Sequence, residues 1–411
     1  AAHPGVEIHC GSLTSLDLSE VEEVVLSPGV DPRTPGLAEL AGRMRDATGE
    51  PLVIGEIALF VRTCRAPIAA ITGSNAKSTV TTLLGEMARE SGRRVAVGGN
   101  LGTPALDLLD DEPSADCYVL ELSSFQLETT PRLGAETAAF LNLSEDHLDR
   151  HGDMASYRAA KLRIFRGARH GVFNADDTMT RPLERLPAQD SFTIRAPRDD
   201  EWGIAIHDGD DWLMHCDTPL MPASEIRLAG RHNHANALAA LAMGHRLAFP
   251  LAAMCRVLRR FSGLPHRGEV IAEIDGVRWI NDSKGTNVGA ALAAIAGLGP
   301  TLDGQLILLA GGMGKGADFR PLVEPLARYC REAILFGLDA ERLEKALRPA
   351  VGVTLVKDLE AGMERAQVVA QPGDCVLLSP ACASLDQFAN YQERGEVFRR
   401  WVGRHASGVS Q

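Results

Sequence analysis

The 411-residue sequence has no C-x-x-C pair among its eight cysteines, no apolar run of membrane-spanning length, few aromatic residues and no excess of basic charge. Each absence removes a class of function. Cys10, Cys64, Cys117, Cys216, Cys255, Cys330, Cys375 and Cys382 are too sparse in a chain this long to read as a disulfide framework. Buried thiols in a reducing cytoplasm are expected instead. No segment reads as a membrane span or a signal peptide, so no membrane partner is expected. A net charge of −12 leaves no basic face of the kind a general nucleic-acid binder needs. A local basic pocket for an anionic small molecule stays open. No internal repeat or low-complexity tract stands out. What remains is the composition of a soluble globular protein, 45% hydrophobic and 23% charged, long enough for two to four domains.

Residues 22–28 and 66–72 read as short buried strands, with a helix-prone stretch at 36–48 between them. From 66 onward, "RVAVGGN", "CYVLELSS", "TAAFLNLS" and "GVFNADD" are apolar runs that end in Gly, Ser, Asn or Asp and alternate with helical stretches. That rhythm suits a parallel α/β sheet with helices on both faces, where ligands gather at the carboxyl ends of strands. Gly73, Asn100, Glu121, Ser123 and Asn142 fall at such ends. Within 190–228, alternation around Asp-Gly signals a small antiparallel patch. A strongly helical segment, 232–248, follows. The Gly/Pro stretch "FSGLPHRGE" marks a domain boundary. Beyond it a second Asp-Gly hairpin leads into a doubly wound C-terminal unit.

"ITGSNAKSTV" has the order of a nucleotide phosphate site: strand, small-residue turn, Lys77-Ser78, helix. It lacks the usual Gly before the lysine, where Ala76 stands. Ala76 is acceptable if its backbone keeps an ordinary helical φ. These residues read equally well as a plain helix start with Lys77 in water. Glu121, ending an apolar strand, is either a water-facing acid or a carboxylate held by metal. Asp146, His147, Asp149, Arg150 and His151 crowd after the next strand, with Lys161 on a following helix. Asn233 and Asn236 read as helix caps or as polar contacts to a ligand. Arg267, Asp282 and Lys284 sit beside strand ends. "LLAGGMGKGADF" imitates a dinucleotide fingerprint, but Ala317 holds its third Gly position. An NAD-dependent dehydrogenase reading fails there and on the acidic residue that should follow. Lys315 in that turn would suit a carboxylate clamp.

Taken together, "ITGSNAKSTVTTLLGEMA", "YVLELSSFQLET", "LNLSEDHLDRHG", "YRAAKLRIF", "HNHANALAALA", "FSGLPHR", "INDSKGTNVGAALAA" and "LLSPACASLDQFANYQERG" resemble the Mur ligases, the ATP-dependent amino-acid ligases of peptidoglycan synthesis. The match runs in the family order from about residue 66 to about 400. The resemblance implies a three-domain α/β architecture. Residues 1–64 would be a truncated N-terminal uridine-diphosphate domain, 65–264 a central ATP-binding domain and 265–411 a Rossmann-like C-terminal domain that takes the amino acid. The strand, Gly-rich turn and helix that begin the family's N-terminal domain are not found here. The resemblance implies a monomeric, cytoplasmic, ADP-forming ligase. It would add D-glutamate to UDP-N-acetylmuramoyl-L-alanine (UDP-MurNAc-L-Ala) through an acyl phosphate. Related ligases that use another amino acid, such as folylpolyglutamate synthetase, and a non-catalytic nucleotide-binding module are the alternatives.

The resemblance also implies roles for particular residues. Gly73, Ser74, Asn75, Ala76, Lys77, Ser78 and Thr79 would hold the ATP phosphates. Asn233, Asn236, Arg267, Asp282 and Lys284 would contact the nucleotide. Ser78 and Glu121 would hold one Mg²⁺, and His147 with a carbamylated Lys161 a second. Lys77, His147 and Lys161 would carry the catalysis. Asn100, Ser123 and His147 would lie against the muramoyl substrate, and Thr286, Lys315, Ser384, Leu385 and Tyr391 would frame D-glutamate. Met313 and Gly285 depart from the common residues at their positions without removing a ligand.

Overall fold

The computed structural model describes residues 5–45, 49–198, 200–228 and 230–407. It contains three sheets. The first is a parallel pair, β1 (Val24–Leu26) and β2 (Val53–Gly55), closed over Leu26, Leu37, Leu40, Leu52 and Val53. The helix expected over 36–48 is a single turn, Ala38–Ala41. Gly42 ends it, and the chain returns through a bridge between Met44 and Pro51. Positions 46–48 of that expectation lie outside the described residues. The failure is one of length: one turn fixes several dihedrals for a single hydrogen bond, and Gly42 removes the gain of continuing.

The central sheet has nine strands: β3 (Ile68–Thr72), β4 (Val95–Gly99), β5 (Cys117–Glu121), β6 (Thr137–Phe140), β7 (His170–Asn174), β8 (Ala188–Phe192), β9 (Glu201–His207), β10 (Asp210–His215) and β11 (Thr218–Pro222). Their spatial order is β11-β10-β9-β8-β7-β6-β3-β5-β4. β3 is an interior strand buried along its whole length, which is why its sequence is continuously apolar rather than alternating. The helix Lys77–Glu90 leaves its carboxyl end and buries Val80, Leu83, Leu84 and Met87 against Leu238, Leu241, Met254 and Val257 of the helices Arg231–Arg246 and Leu251–Arg260. The expected antiparallel patch is present, as an extension of the central sheet. β9 pairs in parallel with β8, and β10 and β11 then extend the same sheet edge. Asp208 and Gly209 turn the β9–β10 hairpin with φ of 53° and 90°, the paired positive values that Asp-Gly favours.

The third sheet is β12 (Glu269–Ile274), β13 (Val277–Asn281), β14 (Leu306–Gly311), β15 (Cys330–Phe336), β16 (Gly352–Leu355) and β17 (Cys375–Leu378), ordered β12-β13-β17-β14-β15-β16. All neighbours are parallel except the β12–β13 hairpin. Two core layers sandwich it, one around Leu308, Leu335 and Leu377, the other around Trp279, Phe398 and Trp401. All eight cysteines are free. Among the described residues, no helix is long and apolar enough to cross a membrane.

Candidate active site

The carboxyl ends of β3 to β6 face the carboxyl ends of β13 and β17 across a cavity of about 520 Å³. On one wall, residues 73–76 turn from β3 into the helix Lys77–Glu90. Their backbone is fixed by side chains and backbone groups from the loop after β6. Asn75 N–H donates to Asn142 Oδ1 at 2.8 Å, and Ser144 N–H donates to Ser74 Oγ at 3.0 Å. Ala76 does not keep a helical φ. It sits at φ 66°, in the left-handed region. The expectation of an ordinary φ is therefore corrected: the turn needs the conformation that glycine usually supplies, and alanine adopts it because the loop is tied down on both sides.

At the start of that helix, the hydroxyl of Ser78 donates to Glu121 Oε2 and accepts from Arg267 Nη2 at 2.6 Å. Asn100 Nδ2 donates to Glu121 Oε1 at 2.7 Å. Glu121 is only 3% exposed, so both carboxylate oxygens are engaged in a nearly dry place. The reading of Glu121 as a water-facing strand end is thereby removed.

Lys77 Nζ folds back onto Gly73 O at 2.8 Å and Ser74 O at 2.9 Å. Lys161, on the helix Met154–Leu162, reaches Gly73 O at 2.8 Å and lies over the Tyr157 ring at 4.7 Å. Lys161 is 1% exposed. Burial pushes its amine far below the ordinary lysine range, and the nearby charge of Lys77 adds to the shift. Burial lowers Lys77 as well, partly offset by Glu121 and Asp146. His147, at φ 55°, stands edge-on to Phe125 with its Nε2 3.6 Å from Asp146 Oδ2. Burial depresses its pKa, leaving a neutral imidazole.

The opposite wall carries Arg267, Asp282, Lys284 and Thr286, with Lys315 at the rim. Asp282 accepts from Ser379 Oγ at 2.7 Å and from Gly268 N–H at 3.2 Å, and burial raises its pKa to about 6. Lys284 lies 3.9 Å over the Tyr391 ring, and burial lowers its pKa to about 8. Asn233 and Asn236 line the cavity from one face of their helix, Asn236 Nδ2 donating to Asn233 Oδ1 at 2.9 Å. They do not cap that helix, since its N-cap is Gly230.

Every residue given a role from sequence lines this cavity except Gly73, Ser384, Leu385 and Tyr391. Gly73 supplies the carbonyl shared by both lysines, and Tyr391 backs Lys284. Ser384 is buried, and Leu385, 60% exposed, lies outside the cavity wall. Their loop joins the Lys315 turn through the bridge between Met313 and Ala383. Sequence reasoning gave no role to Tyr157, Asn142, Ser144, His232 or Asn287. Of these, only Asn142 carried a signal, as a polar residue at a strand end.

The donor chemistry can be tested against a divalent cation. Among the described residues, no cluster of three or more His, Cys, Asp or Glu could hold a metal alone. The Ser78 hydroxyl and Glu121 carboxylate give a hard, oxygen-only pair beside a phosphate loop. That set fits Mg²⁺, which keeps waters and takes phosphate oxygens for the rest of its shell. The amine of Lys161 fits no Mg²⁺ site as it stands. A carbamate on that nitrogen would supply the oxygen donors that the amine lacks.

The chain matches the Mur ligase middle domain over residues 71–244 and the Mur ligase glutamate ligase domain over 266–382. It is 68% identical to the UDP-N-acetylmuramoylalanine–D-glutamate ligase of Chromohalobacter salexigens, covering 98% of this chain and 88% of that protein. It is 52% identical to the protein of the same name from Pseudomonas aeruginosa, with the same two coverages. Among solved structures, the MurF ligase of Thermotoga maritima in complex with ADP superposes with a TM-score of 0.66 at 17% identity, over 98% of this chain and 100% of that one. The UDP-N-acetylmuramate-alanine ligase MurC of the same organism gives 0.62 at 17%, over 94% and 86%. At these identities the structural likeness speaks for the fold alone.

Proposed function

The chain belongs to the Mur ligase family, and on that premise we propose how its cavity serves the reaction. The protein is an ATP-dependent ligase that joins D-glutamate to UDP-MurNAc-L-Ala in peptidoglycan precursor synthesis. The muramoyl-alanine carboxylate attacks the γ-phosphorus of ATP, the bond to the β–γ bridging oxygen breaks and ADP leaves. The acyl phosphate that results is then attacked by the amine of D-glutamate, and phosphate leaves. Residues 1–64 serve the uridine end of the substrate, 65–264 the ATP and 265–411 the amino acid. We take the enzyme to be a cytoplasmic monomer.

The observation that carries this assignment is the chain of contacts from Arg267 through Ser78 to Glu121 at the head of the phosphate-loop helix, in the same cavity as Lys161 and His147. Two anions must meet here, so the residues have to offset repulsion and hold alignment. Lys77 leaves its carbonyls for the outer phosphates, while the N–H groups of residues 76–79 face the remaining oxygens. Asn233, Asn236, Arg267, Asp282 and Lys284 hold the nucleoside and its phosphates. Asn100, Ser123 and His147 align the muramoyl carboxylate. Thr286, Lys315, Ser384, Leu385 and Tyr391 frame D-glutamate, with Lys315 pairing a carboxylate. Mg²⁺ at Ser78 and Glu121, and a second ion at His147 and carbamylated Lys161, would supply charge neutralisation on the transferring phosphoryl group. The acyl phosphate hydrolyses in water, so apposition of the two walls also protects it.

The test is ATP-dependent phosphate release. It should require both UDP-MurNAc-L-Ala and D-glutamate. Equal rates with L-glutamate or L-lysine would refute the amino-acid assignment.

A further inference from the structure

Asn287 follows Thr286 and caps the helix Val288–Leu298, its Oδ1 accepting from Ala290 N–H at 2.8 Å. The other end of the same carboxamide crosses the cavity. Its Nδ2 donates to Asn75 Oδ1 at 3.2 Å, in the phosphate loop, and to Asp146 Oδ2 at 3.1 Å, beside His147. Both acceptors are themselves held. Asn75 Nδ2 donates to Ser144 Oγ at 3.2 Å, which turns its oxygen towards Asn287. Asp146 Oδ1 accepts from His147 N–H at 3.0 Å, leaving Oδ2 for the crossing bond. Two residues further on, a Cβ on Gly289 would lie 2.5 Å from Ser144 Oγ. The first turn of the helix therefore rests directly on the loop after β6, and a larger residue there would lift the carboxamide out of reach.

We propose that Asn287 is a positioning residue. Its carboxamide ties the segment Lys284–Thr286, which it follows directly, to the phosphate loop and to the Asp146–His147 turn, so that the two substrate walls keep one spacing. The inference rests on the ligase reading above. Two such bonds, one to a carboxylate, bias an equilibrium by about ten- to hundredfold. The phosphate loop of the central wall makes most of the nucleotide-phosphate contacts, with Arg267 and Lys284 reaching them from the opposite wall, so the bias falls more heavily on the amino-acid step than on ATP binding.

Asn287→Asp and Asn287→Ser separate the tether from the cap, since both residues cap helices as well as asparagine does. Aspartate loses the donor and sets a second carboxylate against Asp146, while serine is too short to cross. Both variants should keep the melting temperature within about 2 °C and the ATP dissociation constant within about threefold. The kcat/KM for D-glutamate should fall about tenfold or more, further for aspartate. Amide exchange should quicken on both sides of the joint, in 73–79 and in 284–290, but not in the helix Arg231–Arg246. Unchanged exchange in 73–79, or an unchanged kcat/KM for D-glutamate, overturns the proposal. So does a parallel loss of ATP affinity, melting temperature and rate, which would mark an ordinary structural role. A wild-type protein that releases no phosphate with all three substrates refutes the ligase reading instead, and the exchange measurement still decides the tether.

Discussion

Lys77 and Lys161 aim their side-chain nitrogens at a single carbonyl oxygen, that of Gly73, each at 2.8 Å. Two ammonium groups so close repel each other, and one must yield its proton more readily. Lys161 is the one whose amine is driven furthest from the ordinary lysine range. Burial and the charge of Lys77 both favour its neutral form. A neutral amine is nucleophilic, and carbon dioxide is the small electrophile that would convert it to an anion.

Lys161→Ala should therefore lower the rate of phosphate release by about a hundredfold or more, the scale seen when a group stabilising transition-state charge is removed. Short carboxylates such as formate or acetate should restore part of the rate, by supplying the anion that the proposed carbamate would contribute. In the wild type, ¹³C-bicarbonate should give a carbamate resonance that the variant lacks. A variant with wild-type kinetics would remove Lys161 from the site.

Ala76 carries a second prediction. A left-handed conformation costs alanine about 1–2 kcal/mol, whereas glycine loses only about 0.4–1 kcal/mol through unfolded-chain entropy. Ala76→Gly should leave stability unchanged or raise it by up to about 1 kcal/mol, with ATP binding intact. Ala76→Val should be destabilising and weaken ATP binding, because a branched side chain at this φ is a steric outlier. Thermal melting with and without ATP measures both. A valine variant as stable as the wild type would show that the loop relaxes out of the left-handed region.

The contrast between Ala76 and the hairpins shows what the sequence made legible. Asp208-Gly209 and Asp275-Gly276 specify their turns locally, and both adopt the positive φ pairs that this dipeptide favours. The continuous apolar run of β3 likewise marks a strand buried on both faces. The φ of Ala76 is not local information. It is imposed by Asn142 and Ser144, which bond Asn75 and Ser74 from 67 and 70 residues away. The helix expected over 36–48 failed for a related reason, since its composition could not report that Gly42 and the Met44–Pro51 bridge would stop it. Lys77, Glu121 and Lys161 could be named from motif and resemblance. The bonds from Arg267 to Ser78 and from Asn287 to Asn75 span 189 and 212 residues, and no periodicity or spacing encodes them.

The two walls should also give the reaction its pH limits. Lys284, lowered to about 8, is an ammonium below that pH and loses its charge as pH rises through it. Asp282, raised to about 6, becomes a carboxylate only above that pH. The profile of kcat/KM for ATP reports groups of the free enzyme, so it should rise through about pH 6 and fall through about pH 8. Lys284→Arg should flatten the alkaline limb, because a guanidinium stays charged throughout. An alkaline limb that persists unchanged in that variant would assign it to another group.

Asp282 makes the last prediction, in which stability and function oppose each other. Its folded pKa of about 6 lies above the ordinary 3.8. Between those values the native state binds more protons than the unfolded chain, so stability contributed by the protonated acid is complete below 3.8 and lost as pH rises through 6. At about pH 7.5 the ionised, buried carboxylate then costs on the order of 2–3 kcal/mol. An asparagine in its place would be uncharged, could accept from Gly268 N–H and could donate to Ser379 Oγ. Asp282→Asn should therefore raise the unfolding free energy at about pH 7.5 while weakening ATP binding. The stability difference should shrink towards zero near about pH 4, where the native acid is already protonated. Urea denaturation at the two pH values measures this directly. A gain that is equal at both would trace to packing rather than to charge, and would return Asp282 to the ordinary carboxylate range.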